Sequence, residues 1–284
     1  MHSIKPANIK ENIVFALLYF SFFLVLVFLI LIIGLTFYHS LGTLSWNFIF
    51  EPPLNGMKEG GIFPMIIGTL LVTFISAIFA IPLGIFSAIY LVEYAKDTYY
   101  TRLTRMAIRN LSAVPSIVYG LFGLAIFVKT MQFGTSMLSA GLTLGLLTLP
   151  TIISTSEEAL KIVPKTYKEG AYALGATRWQ ALYKIILPVA FPGIMTGIIL
   201  GLSRAIGETA PILFTGVAFY LPHLSLDIFQ QFMALPYHLY IMSTQHHDIE
   251  GVRGIAYSTA AVLILIALML NIIASVIRHR FRER

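Results

Sequence analysis

Apolar residues run along this chain in long blocks. The first, IVFALLYFSFFLVLVFLILIIGLTFY at 13–38, contains no charge. A bilayer core about 30 Å thick takes roughly 20 apolar residues of helix. Six stretches meet that length, near 13–38, 62–92, 111–129, 137–156, 189–218 and 255–277. The first is too long for a signal-peptide core and lacks a small-residue cleavage site, so it reads as a retained helix.

The polar segments between the blocks differ in charge. Lys5 and Lys10 precede the first block, and Lys96, Arg102, Arg105 and Arg109 follow the second. Lys161, Lys165, Lys168, Arg178 and Lys184 follow the fourth, and Arg278, Arg280, Arg282 and Arg284 the sixth. The alternate segments hold only Lys58, Lys129 and Arg253. Cytoplasmic loops collect Lys and Arg. The pattern therefore predicts a cytoplasmic N-tail (1–12) and C-tail (278–284), external segments at 39–61 and 219–254, and a membrane core over 62–277.

Composition agrees with this. The chain is 57% hydrophobic and 11% charged, against about a quarter charged in soluble domains. An all-α integral membrane protein of six transmembrane helices follows. The net charge of +6 reflects topology and points to lipid bilayer, not nucleic acid. There are no cysteines, which excludes disulfides and thiolate metal sites. No GxxxxGK[ST] loop is present, so the chain itself is expected to bind no nucleotide. His246, His247 and Asp248 are consecutive. Neighbouring residues on a helix point about 100° apart, so a solvated loop is the ordinary reading there, and no metal is expected.

Arg204 and Glu208 are the only charges well inside any of the six stretches. A charge at the centre of a membrane helix costs roughly 2.5–3.5 kcal/mol. Their i,i+4 spacing allows an ion pair that offsets part of this. On one continuous helix Gly193, Gly197, Gly201, Arg204, Glu208, Pro211 and Thr215 share an arc of about 80°. The three glycines form a small-xxx-small ladder for close helix packing. The predicted face thus carries tight packing and then a buried ion pair. Two readings stay open: a lock between helices, or the lining of a path for a charged solute, with Ser203 and Thr209 as extra donors. A nucleophile at Ser203 is weak, because Ala205 replaces the last glycine of GxSxG.

Residues 164–188 read PKTYKEGAYALGATRWQALYKIILP. Thr166 with Glu169 and Thr177 with Gln180 match the capping box, and Gly175 suits the residue after a helix end. A short helix over about 167–174 is expected to present Ala171, Tyr172 and Leu174 to the cytoplasm, as a plug for a partner's groove.

The pattern E-x-A-x3-G-x9-I-x-L-P is met by Glu169, Ala171, Gly175, Ile185, Leu187 and Pro188. It resembles the EAA loop of ABC importer permeases, although Gly170 stands where the family usually has alanine. SRAIGETAPILFTG (203–216), FMALPYHLYIMST (232–244) and RNLSAVPSIVYGLFGL (109–124) resemble, more narrowly, the A-type permeases (PstA) of phosphate-specific ABC importers. The resemblance implies the type I ABC importer permease fold in a prokaryotic cytoplasmic membrane, with a cytoplasmic coupling helix. It implies a non-catalytic subunit forming half of a phosphate pathway with a homologous C-type permease. Two ATPase subunits holding ATP-Mg would dock on the coupling helix, contacting Glu169, Ala171, Tyr172, Leu174 and Gly175, and an external binding protein would deliver phosphate. Arg204 would attract the anion and Glu208 would keep it from being trapped. Two rivals remain: an importer of sulfate, molybdate or another oxyanion, and a secondary anion transporter.

Overall fold

A computed structural model describes residues 9–221 and 226–282. Lys5, Arg284 and residues 222–225 lie outside the described residues. Among the described residues five helices are long and apolar enough to span a bilayer: Ile13–Ser40, Phe63–Tyr94, Met137–Ile162, Arg178–Gly207 and Arg253–Arg280. A further pair, Tyr99–Leu111 and Ser116–Thr130, bent by 104°, meets the same test only when the two helices are taken together. Pro115 causes the bend, because it disfavours helical backbone at the residue before it. The helix expected at 111–129 therefore begins only at Ser116, behind a separate amphipathic helix.

In chain order, α1 is Ile9–Ser40 and α2 is Trp46–Phe50. A two-residue antiparallel hairpin follows, β1 Pro53–Leu54 and β2 Glu59–Gly60, with Pro53 opposite Gly60. Helix α3 is Phe63–Ile89 and continues as a π turn over Tyr90–Tyr94. Next come α4 (Tyr99–Leu111), α5 (Ser116–Gly123) and α6 (Met137–Ile162). The short helices α7 (Lys165–Ala173) and α8 (Arg178–Ala181) precede α9 (Leu187–Gly207). Helices α10 (Ala210–Thr215), α11 (Leu235–Thr244) and α12 (Arg253–Arg282) follow.

Helix α6 is the centre, packed along α3 on one side and α9 on the other. Lipid is as apolar as leucine, so such contacts depend on close fit more than on the hydrophobic effect. A Cβ added at Gly141 or Gly145 of α6 would come within 2.5 or 2.6 Å of Ile75 or Phe79 on α3. The peripheral α1 leans chiefly on α12 and leaves most of its apolar side chains exposed.

The two ends of the bundle differ. The hairpin end holds residues 41–62, 217–221 and 226–252, packed over a core that includes Phe48, Met57, Phe232 and Tyr237. The basic end holds α4, α7 and α8 beside a second core around Ile152, Leu160, Leu182 and Ile186.

Candidate functional site

Helix α9 stops at Gly207, and Glu208 is extended (φ −77°, ψ 129°). Helix α10 restarts at Ala210 with Pro211 in its first turn. Continuing α9 would leave the Gly207 carbonyl without a donor, because Pro211 has no N–H, and would press its ring on the preceding turn, whereas proline fits a first helical turn. The continuous helix expected over 189–218 is therefore two helices. The shared arc ends at the break: Pro211 and Thr215 are buried, and Ser136 N donates to the Thr215 carbonyl at 3.0 Å.

The ion pair survives the break. Arg204 Nε donates to Glu208 Oε1 at 3.1 Å. The pair is not buried within this chain, since the side chains are 39% and 17% exposed. Glu208 occupies one of the five N–H donors of the guanidinium. No other hydrogen bond to the Arg204 side chain occurs among the described residues, so both terminal amino groups are available. Irregular backbone at membrane depth is tolerated where it is covered by protein or lines a watery space.

Gly193, Gly197 and Gly201 face α6, where an added Cβ would come 2.5, 2.7 and 3.1 Å from Ala159, Thr155 and Ile152. Ser203 turns elsewhere: its hydroxyl bonds the Ile199 carbonyl at 2.6 Å and meets the Asn271 side chain of α12. This removes it from the Arg204 opening. Thr209 sits half-buried at the break, and its carbonyl accepts Leu213 N at 3.2 Å.

At the basic end α7 begins at Lys165, and the Thr166–Glu169 capping box does not form, because Pro164 occupies the cap position. The Thr177–Gln180 box does form, with bonds of 3.3 and 2.9 Å. Between them Ala176 N donates to Ala171 O and Gly175 N to Tyr172 O, both at 3.0 Å. This is the Schellman arrangement, and it requires the left-handed φ of +79° found at Gly175. Leu174 is 91% exposed and Tyr172 43%, while Ala171 is only 5% exposed. Ala171 thus packs inward and does not present itself to a partner. Glu169 is exposed. Trp179 and Tyr183, absent from the sequence-based set, stack at 6.5 Å and enlarge the exposed ridge.

Two ionic ties anchor this end. Lys168 of α7 pairs with Glu93 in the π turn after α3. Arg105 of α4 bonds both Glu157 Oε1 and the Leu91 carbonyl at 2.6 Å, and Lys161 bonds the same carboxylate at 2.6 Å. Helix α6 extends to Ile162, so Glu157 is a further charge inside a spanning helix, correcting the reading that Arg204 and Glu208 are alone there. The Glu157/Lys161 i,i+4 spacing was the available signal.

His246 is buried at 5% exposure, not in a solvated loop. Its Nδ1 accepts the Asp248 N–H at 3.1 Å, so Nε2 carries the proton toward the Gly56 carbonyl 3.4 Å away. Asp248 pairs with Lys58 at 3.1 Å. Lys58, and then the Gly251 N–H, hold its carboxyl below the usual range. Among the described residues no three His, Cys, Asp or Glu groups gather as metal ligands. These contacts clip the 55–58 turn onto residues 246–248.

The family of binding-protein-dependent transport system inner membrane components matches residues 80–283. The chain is 35% identical over 234 residues to the phosphate transport system permease protein PstA 1 of Mycobacterium tuberculosis (strain CDC 1551 / Oshkosh), covering 82% of this chain and 75% of that one. It is 36% identical over 234 residues to the phosphate transport system permease protein PstC of Pasteurella multocida (strain Pm70), covering 71% and 72%. Its fold is similar to a chain of a bacterial alginate ABC transporter solved in complex with alginate pentasaccharide-bound periplasmic protein, with a TM-score of 0.67, 15% identity and 96% of each chain covered.

Proposed function

Because the chain belongs to the family of binding-protein-dependent transport system inner membrane components, we propose that it is a permease subunit forming half of the path of an ATP-driven importer of inorganic phosphate. The observation that carries this reading is the Arg204–Glu208 pair at the α9–α10 break, left open by its own chain. A second, homologous permease of the C type completes the path over that opening. A phosphate ion entering it takes the two terminal amino groups of Arg204 in a bidentate, charge-assisted pair. Glu208 keeps the guanidinium in place through Nε and repels the anion, so that phosphate is bound weakly enough to leave. Thr209 lies beside the break and is a further donor.

The basic end is cytoplasmic, by the excess of Lys and Arg there. The exposed ridge of Tyr172, Leu174, Trp179 and Tyr183 seats one of two ATPase subunits, which hold ATP-Mg. The Lys168–Glu93 tie passes the movement of α7 to α3. An external binding protein delivers phosphate at the hairpin end. The relatives named for phosphate transport support the choice of anion.

The test is uptake of radiolabelled phosphate into proteoliposomes holding the assembled transporter, with binding protein outside and ATP inside. ATP-dependent uptake that excess sulfate does not reduce is expected. Uptake without ATP, or its loss to sulfate competition, would overturn the reading.

A further inference from the structure

Near the hairpin end, α1, α11, α12 and the turn at 249–250 border an open cavity of about 460 Å³. Its lining is divided. Leu239, Met242 and Ala256 give an apolar floor, and Glu250, Arg253 and Tyr257 give a polar rim. Thr36, near the end of the long apolar run of α1, also lines it. The cavity therefore lies at the level where this helix leaves hydrocarbon. Tyr38, His39 and Tyr257 cluster at that level, with His39 stacked on Tyr257 at 4.7 Å. Aromatic rings with polar tips favour the headgroup layer.

Neither rim charge is held in an ion pair among the described residues. The Arg253 guanidinium lies 5.9 Å from the centre of the Tyr257 ring. Neither Arg253 nor Glu250 has an opposite charge within 4.0 Å among the described residues, and they do not pair with each other. Lys58, at the same end, is taken by Asp248. The rim thus offers one cation and one anion, held apart, above an apolar floor.

We propose that this cavity binds a zwitterionic phospholipid, phosphatidylethanolamine. Arg253 takes the phosphate, Glu250 the ammonium, and the floor takes the first methylenes of an acyl chain. A phosphatidylglycerol headgroup has the phosphate and no ammonium, so Glu250 repels it. Helix α1 otherwise leans chiefly on α12, and the lipid joins it to α11 as well.

Native mass spectrometry of the full-length chain, released from micelles containing equal phosphatidylethanolamine and phosphatidylglycerol of the same acyl chains, tests this. Preferential retention of phosphatidylethanolamine is expected. Arg253→Gln and Glu250→Gln should each reduce it roughly tenfold or more, the size of one lost charged hydrogen bond. Lys58→Gln, outside the cavity, should retain the lipid and controls for damage to this end of the fold. Equal retention of phosphatidylglycerol, or no effect of Glu250→Gln, would overturn the headgroup assignment. Displacement of the lipid by excess inorganic phosphate would instead make this a free-anion site.

Discussion

Glu208 touches Arg204 through Nε alone, so its charge and its bulk can be separated. Glu208→Gln keeps the bulk and removes the repulsion that frees the anion. Uptake should fall roughly fivefold, equivalent to about 1 kcal/mol for a partly exposed pair, with subunit assembly unchanged. Normal phosphate uptake in proteoliposomes would reduce the pair to a helix lock. His238 gives a different residue-scale prediction. It is 2% exposed and bonded through Nδ1 to Thr259 at 3.1 Å. Burial, and then the charge of His246, push its imidazole from 6.5 down to about 4. The unfolded chain binds a proton near pH 6.5 that the folded chain refuses. Stability is therefore full above that pH and falls as pH drops toward 4, by at most about 1.4 kcal/mol per unit. Thermal unfolding in detergent across this range should show the slope, and His238→Gln should flatten it.

Among the elements, the α7 turn depends on one backbone angle. A Cβ at Gly175 would touch nothing within 4 Å, so the cost of substitution there is the left-handed φ, about 1 kcal/mol. Gly175→Asp adds a charge to an exposed docking ridge. It should abolish stimulation of the ATPase by loaded binding protein while the permease still reaches the membrane, as ATPase assays and membrane blots would record. The α9 ladder fails for the opposite reason. At Gly197 there is no room, with Thr155 at 2.7 Å from an added Cβ. Gly197→Leu should push α9 off α6 and lower the unfolding temperature, whereas Gly170→Ala, facing open space, should not.

For the whole molecule, orientation is the testable quantity. The chain has no cysteine, so single cysteines report cleanly. Leu174→Cys should react with a membrane-impermeant maleimide only from the cytoplasmic side, and Trp46→Cys only from outside. Reversed labelling would invert the proposed path and put α7 out of reach of ATP.

Local pattern alone located the apolar blocks, the basic segments, the Thr177 cap and the turn at Gly175, because each rests on residues within a few positions of one another, although not where the helices within the blocks begin and break. It determined the 204/208 spacing as well, but not the break beside it, since a proline in an apolar run can kink a helix or start a new one. Tertiary structure decided what depends on distant partners. Ala171 turns inward, Ser203 turns to Asn271, and His246 reaches a carbonyl 190 positions away. Lys168 finds Glu93 and Arg105 finds Glu157 across separations of 75 and 52. Periodicity tells which face of a helix is apolar; which neighbour meets a polar side chain is set only when the helices pack.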